Sequence, residues 1–278
     1  LYVVELSSNG KLLSFQVTPS DGIVEGDSVE SNRKEVEEFF AGGSGTSGDP
    51  YQVSTPTHLH NIRVDLSASY KLINDINLDV APYNTGEGWE PIGNSSSPFS
   101  GTLDGDNFTI SNLYINRATK DTVGFFSNLN STVKNVRFKD ANVTGRDLTG
   151  IIAGSFNGYL DKSSVSGSVT GRNKVGSLFG IMLEGTSADK SYSEANVSAT
   201  GDRIGGLTGI LETAYFNDSF FAGSVSTVGD KVGGIMGEGY ETITSGGLTR
   251  VYNSGSVSGA NQVGAIGGDV SGTQYTNV

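Results

Sequence analysis

A short stretch near the C-terminal end of the chain has a hydrophobic pattern that fits neither a helix nor a flat strand. In Lys231 to Gly239, KVGGIMGEG, the aliphatic residues Val232 and Ile235 lie three positions apart among four glycines. Each interior glycine costs a helix about 0.5–1 kcal/mol relative to alanine. In a flat strand the two aliphatic side chains would point to opposite faces. The pattern therefore predicts a chain that bends at Gly233-Gly234, so that both side chains reach one core.

The same order of residues, aliphatic-Gly-x-aliphatic-x-Gly, recurs along the chain. Its copies begin at Val123, Thr149, Val175, Ile204, Val232 and Val263, at intervals of 26, 26, 29, 28 and 31 residues. The first two copies are looser, because Asn128 replaces the final glycine of the first and Thr149 replaces the leading aliphatic residue of the second. An internal repeat of this length indicates a stack of similar structural units.

A second pattern accompanies the first and alternates as a half-buried strand does. Single valines flanked by serine, threonine or asparagine, with a glycine soon after, occur at Val143, Val169, Val197, Val225 and Val257. Each repeat thus holds at least two short strands separated by glycine-rich corners, and one repeat cannot bury its own apolar face. The sequence predicts an all-β fold, a parallel β-helix solenoid. The right-handed form is expected because left-handed hexapeptide helices need a much shorter repeat.

The first part of the chain lacks the repeat, so we divide the chain into residues 1–48 and 49–278. In residues 1–48 the pattern predicts a hairpin around Asn9-Gly10, a short helix within SNRKEVEEFFAGG capped by Ser31, and a Gly/Ser-rich linker. Within the β-helix, residues 49–122 are expected to form the cap and first coils, and residues 123–278 the regular repeats.

A short amphipathic helix is predicted at the start of the β-helix. Pro56 suits the first turn of a helix after Ser54 or Thr55, and Leu59 and Ile62 would share one face. Such a helix would cover the strand edges and core at the open end of a solenoid, so we expect a helical cap here.

Several ordered segments of residues 49–278 carry a family resemblance. They are PYQVSTPTHLHNI, SYKLINDINLD, WEPIGN, PFSGTLDGDNFTISNLYI and the VGG[LI]xG blocks. Together they resemble the GLUG-repeat proteins, bacterial and archaeal surface proteins that include adhesins and the non-catalytic N-terminal regions of some immunoglobulin-cleaving peptidases. The resemblance implies an extracellular right-handed β-helix, and it brings no peptidase site. Asn128 and Thr149 depart from the family's repeat.

Composition narrows the possible partners and compartments. The chain has no cysteine, which excludes disulfides and thiol catalysis but leaves the compartment open. A net charge of −12 would repel nucleic acid and anionic membrane surfaces. No apolar run reaches the length of about 18 residues that a membrane helix needs, so neither membrane insertion nor nucleic-acid binding is predicted. The chain does not begin with methionine and has no visible signal peptide, as we would expect of a trimmed precursor or a fragment.

Two segments invite a metal-binding interpretation. TLDGDNFT contains Asp104, Asp106 and Asn107, but it lacks the downstream glutamate of an EF-hand and the nonapeptide series of calcium-binding β-rolls. The only histidines, His58 and His60, are two positions apart and would face different directions on a helix. We therefore predict no metal site and no cofactor, and we expect both histidines on the surface of the cap.

Glycan-cleaving β-helices need clustered carboxylates on one face. The acidic residues of the repeats do not fall in the register of the motifs, so we expect them to be dispersed and solvated. They are Asp140, Asp147, Asp161, Glu194, Asp202, Asp218 and Asp230. No catalytic residue is predicted, and the sequence favours a non-enzymatic protein.

Two outward features could still bind ligands. Hydroxyl residues beside the core valines should stack into a ladder that could contact ice or glycans, although any solvated strand face favours such residues. The ladder would contain Thr144, Thr170, Ser198, Ser226 and Ser258. The aromatic residues Tyr192, Phe220, Phe221 and Tyr252 could stack on sugar rings, but core or edge packing is the preferred interpretation.

Six asparagines begin N-x-Ser/Thr sequons and are candidate glycosylation sites. They are Asn94, Asn107, Asn130, Asn142, Asn196 and Asn217. At this Ser/Thr content chance alone would give several sequons, so they carry little weight individually.

The sequence therefore predicts an extracellular or cell-surface protein with a structural or adhesive role, in which the β-helix is a rigid scaffold. Its expected partners are neighbouring copies of itself or further domains of the same chain, and surface glycans. Head-to-tail assembly into a filament through the strands of residues 1–17 is one form of such contact. The alternative is a glycan-binding or glycan-cleaving β-helix.

Overall fold

The computed structural model describes residues 39–240 and 247–270 fully, and it gives the backbone of five further strands, Tyr2–Leu6, Leu12–Val17, Val29–Glu30, Lys34–Glu35 and Tyr275–Thr276. The chain divides into two compact units, Leu1–Ala41 and Gly42–Val278.

The first unit is a small antiparallel sheet. Tyr2–Leu6 pairs with Leu12–Val17, which confirms the two strands of the predicted hairpin, while its Asn9-Gly10 turn lies outside the described residues. Val29–Glu30 and Lys34–Glu35 both pair with Leu12–Val17. The helix predicted within SNRKEVEEFFAGG is therefore wrong at Lys34–Glu35, and its cap Ser31 is outside the described residues. A helix this short is marginal in water, whereas strand pairing satisfies the backbone groups directly.

The second unit is a parallel β-solenoid, as the repeat predicts. Its strand pairs are parallel, and each strand pairs with the equivalent strand of the next coil. The nine-stranded sheet contains Tyr51–Val53, Ser69–Leu72, Thr102–Asp104, Thr132–Lys134, Tyr159–Asp161, Ser187–Asp189, Tyr215–Asn217, Gly247–Thr249 and Tyr275–Thr276. The six-stranded sheet contains Phe126–Leu129, Ala153–Phe156, Phe179–Met182, Thr208–Glu212, Met236–Tyr240 and Gly267–Asp269.

Two further sheets complete the coils. The three-stranded sheet contains Ile204–Gly205, Val232–Gly233 and Val263–Gly264. The eleven-stranded sheet contains Ile76–Asn77, Thr109–Ser111, Tyr114–Asn116, Arg137–Thr144, Ser164–Gly171, Tyr192–Ser193, Asn196–Ala199, Phe220–Phe221, Ser224–Thr227, Tyr252–Asn253 and Ser256–Ser258.

The first residues of the six motif copies form one continuous internal ladder. Val123, Thr149, Val175, Ile204, Val232 and Val263 pair in this order, one per coil. The first five are buried, whereas Val263 is 45% exposed. Thr149 is buried among aliphatic neighbours, and its hydroxyl is one of the few buried polar atoms without a hydrogen bond among the described residues.

The glycines of KVGGIMGEG allow the predicted bend. The strand Val232–Gly233 stops at the bend, and the strand Met236–Tyr240 follows it. Val232 and Ile235 are both fully buried. A Cβ atom on Gly233 would lie 2.1 Å from the carbonyl oxygen of Met236, and one on Gly234 would lie 2.1 Å from that of Ala265. Only glycine allows the backbones to approach this closely.

The corners depend less on glycine than the sequence suggests. The residue before each motif copy adopts a left-handed conformation with φ between 50° and 66°: Thr122, Leu148, Lys174, Arg203, Lys231 and Gln262. A second corner repeats this conformation at Asn135, Lys162, Lys190, Asp218 and Arg250, with φ between 45° and 53°. Most of these residues are long and polar, so each corner carries a conformational cost of roughly 1–2 kcal/mol that the ladders on either side offset.

The predicted cap helix is confirmed. It spans Pro56–Asn61, Thr55 is its N-cap with a side chain that accepts the His58 N–H, and a 3₁₀ turn, Ile62–Val64, follows. Leu59 and Ile62 are fully buried. The helix therefore lies with its apolar face on the core at the Tyr51–Val53 edge of the nine-stranded sheet.

A ladder of buried serines runs along a corner next to the nine-stranded sheet. Ser163, Ser191 and Ser219 are at most 1% exposed. The Ser163 N–H donates to the Ser191 hydroxyl at 3.2 Å, and the Ser191 N–H donates to the Ser219 hydroxyl at 3.2 Å. Each hydroxyl in turn donates to a carbonyl two residues earlier. The ladder satisfies backbone groups that the corner would otherwise leave unpaired inside the protein.

Candidate functional site

One outward column of the eleven-stranded sheet carries residues with binding chemistry, and we call it the outer column. Its members pair in register, one per coil, and are Thr109, Arg137, Ser164, Tyr192, Phe220 and Tyr252. The next residue along each of the first three strands, Ile110, Phe138 and Val165, is buried. Strand alternation thus directs the outer column away from the core, and Ser164, which lies between longer neighbours at the bottom of the column, is 8% exposed.

The last three members of the outer column form a stack of rings. The Tyr192 and Phe220 ring centroids are 4.7 Å apart with planes 5° from parallel, and those of Phe220 and Tyr252 are 5.1 Å apart at 8°. Tyr252 is 53% exposed, whereas Phe221 is fully buried. Of the two forms of packing expected for the aromatic residues, core packing describes Phe221, whereas Tyr192, Phe220 and Tyr252 pack on one another at the outer face of the sheet.

A groove of about 280 Å³ opens where the ring stack stops. Tyr192 lines one end, Arg137 and Thr109 line the other, and Ser164 lies between them. Lys139, Ser166 and Glu194 also line the groove and add a cation, a hydroxyl and a carboxylate. A small concave site with one aromatic wall and a few convergent polar groups is typical of a ligand site.

The charges of the groove are available to a ligand. Arg137 is exposed and has no ion pair within residues 39–240 and 247–270. Lys139 is 3.9 Å from Asp140, and both side chains are more than half exposed, so this pair is weak. The groove thus offers two cations beside one carboxylate in a chain whose net charge is −12.

The predicted hydroxyl ladder is confirmed in a neighbouring part of the same sheet. Thr144, Thr170, Ser198, Ser226 and Ser258 pair in register, one per coil. All are exposed except Thr144, which is half-buried. Beside them the Ser224 hydroxyl donates to Asn196 Oδ1 at 2.7 Å. The ladder is a regular polar face.

The sequon asparagines lie mostly on the surface. Asn94, Asn107, Asn130, Asn142 and Asn196 are exposed, and Asn217 is half-buried. The side-chain amide of Asn217, the group that glycosylation would modify, donates to Asp189 Oδ1 at 2.8 Å. Glycosylation of the six sites stays a prediction, and Asn217 is the least accessible of them.

The acidic residues are more ordered than predicted. Asp121, Asp147, Asn173, Asp202 and Asp230 form a column in which each side-chain oxygen accepts the backbone N–H of the next member, at 2.9–3.2 Å. The expectation of dispersed charge is therefore wrong for Asp147, Asp202 and Asp230.

Two members of this acidic column are paired with arginine. Arg146 and Arg172 each hold the preceding aspartate, Asp121 or Asp147, through two hydrogen bonds. These side-chain hydrogen bonds lower the pKa of both carboxyls. The column is structural, because its oxygens are used by backbone amides and arginines.

The two carboxylates of the TLDGDNFT segment are engaged by other side chains. Asp104 accepts from Asn135 and pairs with Lys134 at 3.1 Å, and Asp106 pairs with Lys71 at 3.0 Å. Within residues 39–240 and 247–270, no three His, Asp or Glu side chains are arranged to hold a metal ion. The absence of metal and cofactor stays a prediction.

The two histidines have different environments. His58 is 5% exposed, and its Nδ1 lies 3.2 Å from both the backbone nitrogen and the hydroxyl of Ser54. The expectation of a surface position is therefore wrong for His58, which stabilises the start of the helix. His60 is exposed, and its ring lies 5.9 Å from that of Tyr83.

A buried carboxylate on the six-stranded sheet was not predicted from the sequence. Glu238 is 4% exposed and is held by Arg203, Lys231 and Tyr240. Burial raises the pKa of its carboxyl, but hydrogen bonds from Lys231, Tyr240 and Arg203 outweigh burial and lower the pKa overall. Lys231 also pairs with Asp269 at 3.1 Å. All of these groups are mutually satisfied, so the cluster has no vacant position for a ligand.

Comparisons with known proteins bear on the fold and on location. The chain is 38% identical over 167 residues to halomucin of Haloquadratum walsbyi, a match that covers 56% of this chain and 2% of halomucin. It is 35% identical over 133 residues to a protein of Evansella cellulosilytica named as a candidate Gly-rich membrane protein, covering 45% of this chain and 15% of that protein. No family model matches the chain, so membership of the GLUG-repeat family is not confirmed.

A solved structure shares the fold. The crystal structure of a candidate immunoglobulin A1 protease from Bacteroides ovatus superposes with a TM-score of 0.70 at 23% identity, covering 82% of this chain and 74% of that one. At this identity the likeness shows the fold alone.

The expectation of a non-enzymatic protein needs correction. It was drawn from the apparent dispersal of carboxylates, and a protein of the same architecture is named as a protease. In addition, Asp147, Asp202 and Asp230 are arranged in one column and are not dispersed as expected. The sequence therefore does not establish that the chain lacks enzymatic activity.

No helix in the described part of the chain is both long and apolar enough to cross a membrane.

Proposed function

We propose that this chain is a β-solenoid segment of a larger cell-surface protein, in which the stacked coils form a rigid support with an adhesive outer face. The surface location is supported by the names of the two relatives, halomucin and a Gly-rich membrane protein. The chain spans only a small part of each relative, so it corresponds to a segment of proteins of that kind.

The observation that carries the structural role is the continuity of the strand ladders. The six-stranded sheet and the nine-stranded sheet both continue from coil to coil with one strand per coil. Buried ladders such as Val175, Ile204 and Val232 lock each coil to the next. A stack of coils with nearest-neighbour contacts along one axis can act as a rigid spacer, and it presents the residues of its outer face at regular intervals.

The adhesive role is carried by the outer column. Exposed aromatic residues such as Tyr252 lose contact with water when they meet a partner, and the polar groups of the adjoining groove can hydrogen-bond it. Surface glycans are the proposed partners of this face. The proposal thus includes the glycan-binding alternative that the sequence left open. Neighbouring copies or further domains are the proposed partners of the remaining strand edges.

Location is tested by labelling cells of the source organism with antibodies raised against the chain. We expect intact cells to be labelled as strongly as permeabilised cells, and external protease to remove the signal. A cytoplasmic protein of the same organism serves as the control for cell integrity. Labelling that appears only after permeabilisation would contradict the proposed location.

A further inference from the structure

The outer column has one position, between Tyr192 and Arg137, where the side chain is too short to continue the stack of rings. Tyr192, Phe220 and Tyr252 repeat at the coil spacing, with centroids 4.7 and 5.1 Å apart. The next position in register is Ser164, whose side chain ends at the hydroxyl, and the position after it is Arg137. Two coil spacings separate Tyr192 from Arg137, about 9.6 Å between their backbones. A flat group over Ser164 would therefore lie one stacking distance from Tyr192 and one from the guanidinium of Arg137.

The Tyr192 ring has one face left for such a group. Phe220 covers its other face at 4.7 Å, and the groove that Tyr192 lines is on the side of Ser164. The groove of about 280 Å³ is just below the usual size of sites for drug-sized ligands, so it suits a single ring.

The chemistry of the lining favours a sugar over an aromatic side chain. A sugar ring has one face of C–H groups that packs on the face of an aromatic ring, while its edge carries hydroxyls that need partners. Ser166, Thr109 and Glu194 provide hydroxyls and a carboxylate at the edge of the groove. An aromatic side chain would make fewer hydrogen bonds with these groups than a sugar would.

The two cations define the sugar further. Arg137 is unpaired within the described residues and can hold a carboxylate through two parallel hydrogen bonds, and Lys139 lies beside it in the same groove. We propose that the gap over Ser164 binds one ring of an acidic sugar, with the ring on Tyr192, its carboxylate on Arg137 and its hydroxyls on Glu194. This proposal names a ligand class for the adhesive role proposed above. It depends on that role only for the biological source of the sugar.

The test is an NMR titration of the isotopically labelled full chain with methyl β-D-glucuronide and with methyl β-D-glucoside, which differ only by the carboxylate. We expect the uronide to bind about tenfold more tightly, as one charge-assisted contact predicts. Amide shifts should concentrate at Ser164, Tyr192 and Glu194 and be absent at Tyr159 in the nine-stranded sheet.

Three variants and one control locate the site. Arg137→Gln should bring the affinity for the uronide down to that for the glucoside, and Tyr192→Ala should weaken both sugars at least tenfold. Ser164→Tyr should fill the gap and abolish binding. Tyr159→Ala removes an exposed ring from the nine-stranded sheet, outside the outer column and its groove, and should leave both affinities unchanged. Arg137 is exposed, so Arg137→Gln stays informative if Ser164→Tyr does not fold.

Other outcomes overturn the proposal. Equal affinities for the two sugars, no binding of either, or tighter binding of N-acetyltyrosinamide than of the uronide would each do so, the last pointing to a peptide partner. Failure here leaves the cell-labelling result intact, whereas failure of surface labelling leaves the measured sugar affinities intact. The two proposals can therefore fail separately.

Discussion

Glu238 holds a negative charge in an almost fully buried position. Arg203, Lys231 and Tyr240 all donate to its two oxygens, and Lys231 is shared with Asp269. A buried charge is tolerated only when its partners replace water completely. The cluster links three successive coils. Arg203 belongs to the first of them, Lys231 and Glu238 belong to the second, and Asp269 belongs to the third.

The Glu238→Gln variant should lose stability at neutral pH by about 1–3 kcal/mol, because the amide replaces charge-assisted hydrogen bonds with weaker ones. The pKa of Glu238 is lowered in the folded protein. Its contribution is therefore present above the unfolded pKa of about 4.3 and is lost as pH falls through the folded pKa. Urea unfolding should show a larger difference in stability between parent and variant at pH 7 than at pH 3. Exposed Glu184→Gln should match the parent at pH 7.

The burial of single residues could be predicted where the repeat sets the register. Val232 and Ile235 are both buried as expected, because equivalent positions in stacked coils must meet. The sequence could not tell which of Phe220 and Phe221 faces the core, since both are aromatic and the strand has two residues. Only the pairing of Phe220 with Tyr192 and Tyr252 places it in the outer column. The groove beside Tyr192 was not predicted for the same reason, because the short side chain of Ser164 leaves a gap only in relation to its neighbours in the column.

The buried serines act as one element. Ser163, Ser191 and Ser219 recur every 28 residues, each two positions after Asp161, Asp189 or Asn217. This spacing was available in the sequence, but serine is normally a surface residue and the pattern carries no apolar signal. The structure explains the serine spacing, because each hydroxyl accepts a hydrogen bond from a backbone N–H of the preceding coil.

Ser191→Ala should cost about 1–3 kcal/mol, because it leaves the buried Ser163 N–H without an acceptor. The matched control is Ser198→Ala in the exposed hydroxyl ladder of the same coil, which should change stability by less than about 0.5 kcal/mol. Urea midpoints measure both variants. Equal losses in the two variants would show that burial of the serine ladder contributes nothing.

The elements that the sequence mispredicted are those in which pairing overrides local preference. Lys34–Glu35 lies in a stretch with helical periodicity, yet it pairs with Leu12–Val17. Lys174 and Arg203 adopt left-handed corners that such residues rarely occupy. In both cases the neighbouring strand or coil determines the backbone, and a local pattern contains no information about it.

The solenoid as a whole has no single centre. Each strand of the six-stranded sheet pairs only with the strands of the coils before and after it, so stability is close to a sum over coil interfaces. Phe179–Met182 lies between two such neighbours and is buried at all four positions, whereas Gly267–Asp269 is half-buried. Damage to one coil should therefore spread to the coils that depend on it and not through the whole stack.

The Val232→Asp variant tests this organisation, because it places an unpaired charge at a fully buried position of one coil. Amide hydrogen exchange should become faster in Met236–Tyr240, which belongs to the damaged coil, and in Gly267–Asp269, which belongs to the next coil. Phe126–Leu129 lies four coils before the damaged one and should keep its protection. Val263→Asp is the matched control, since Val263 pairs with Val232 in the same ladder but is 45% exposed. It should affect Gly267–Asp269 at most. If exchange in Val232→Asp rises equally from Phe126 to Asp269, the coils unfold as one unit and nearest-neighbour stacking does not describe this protein.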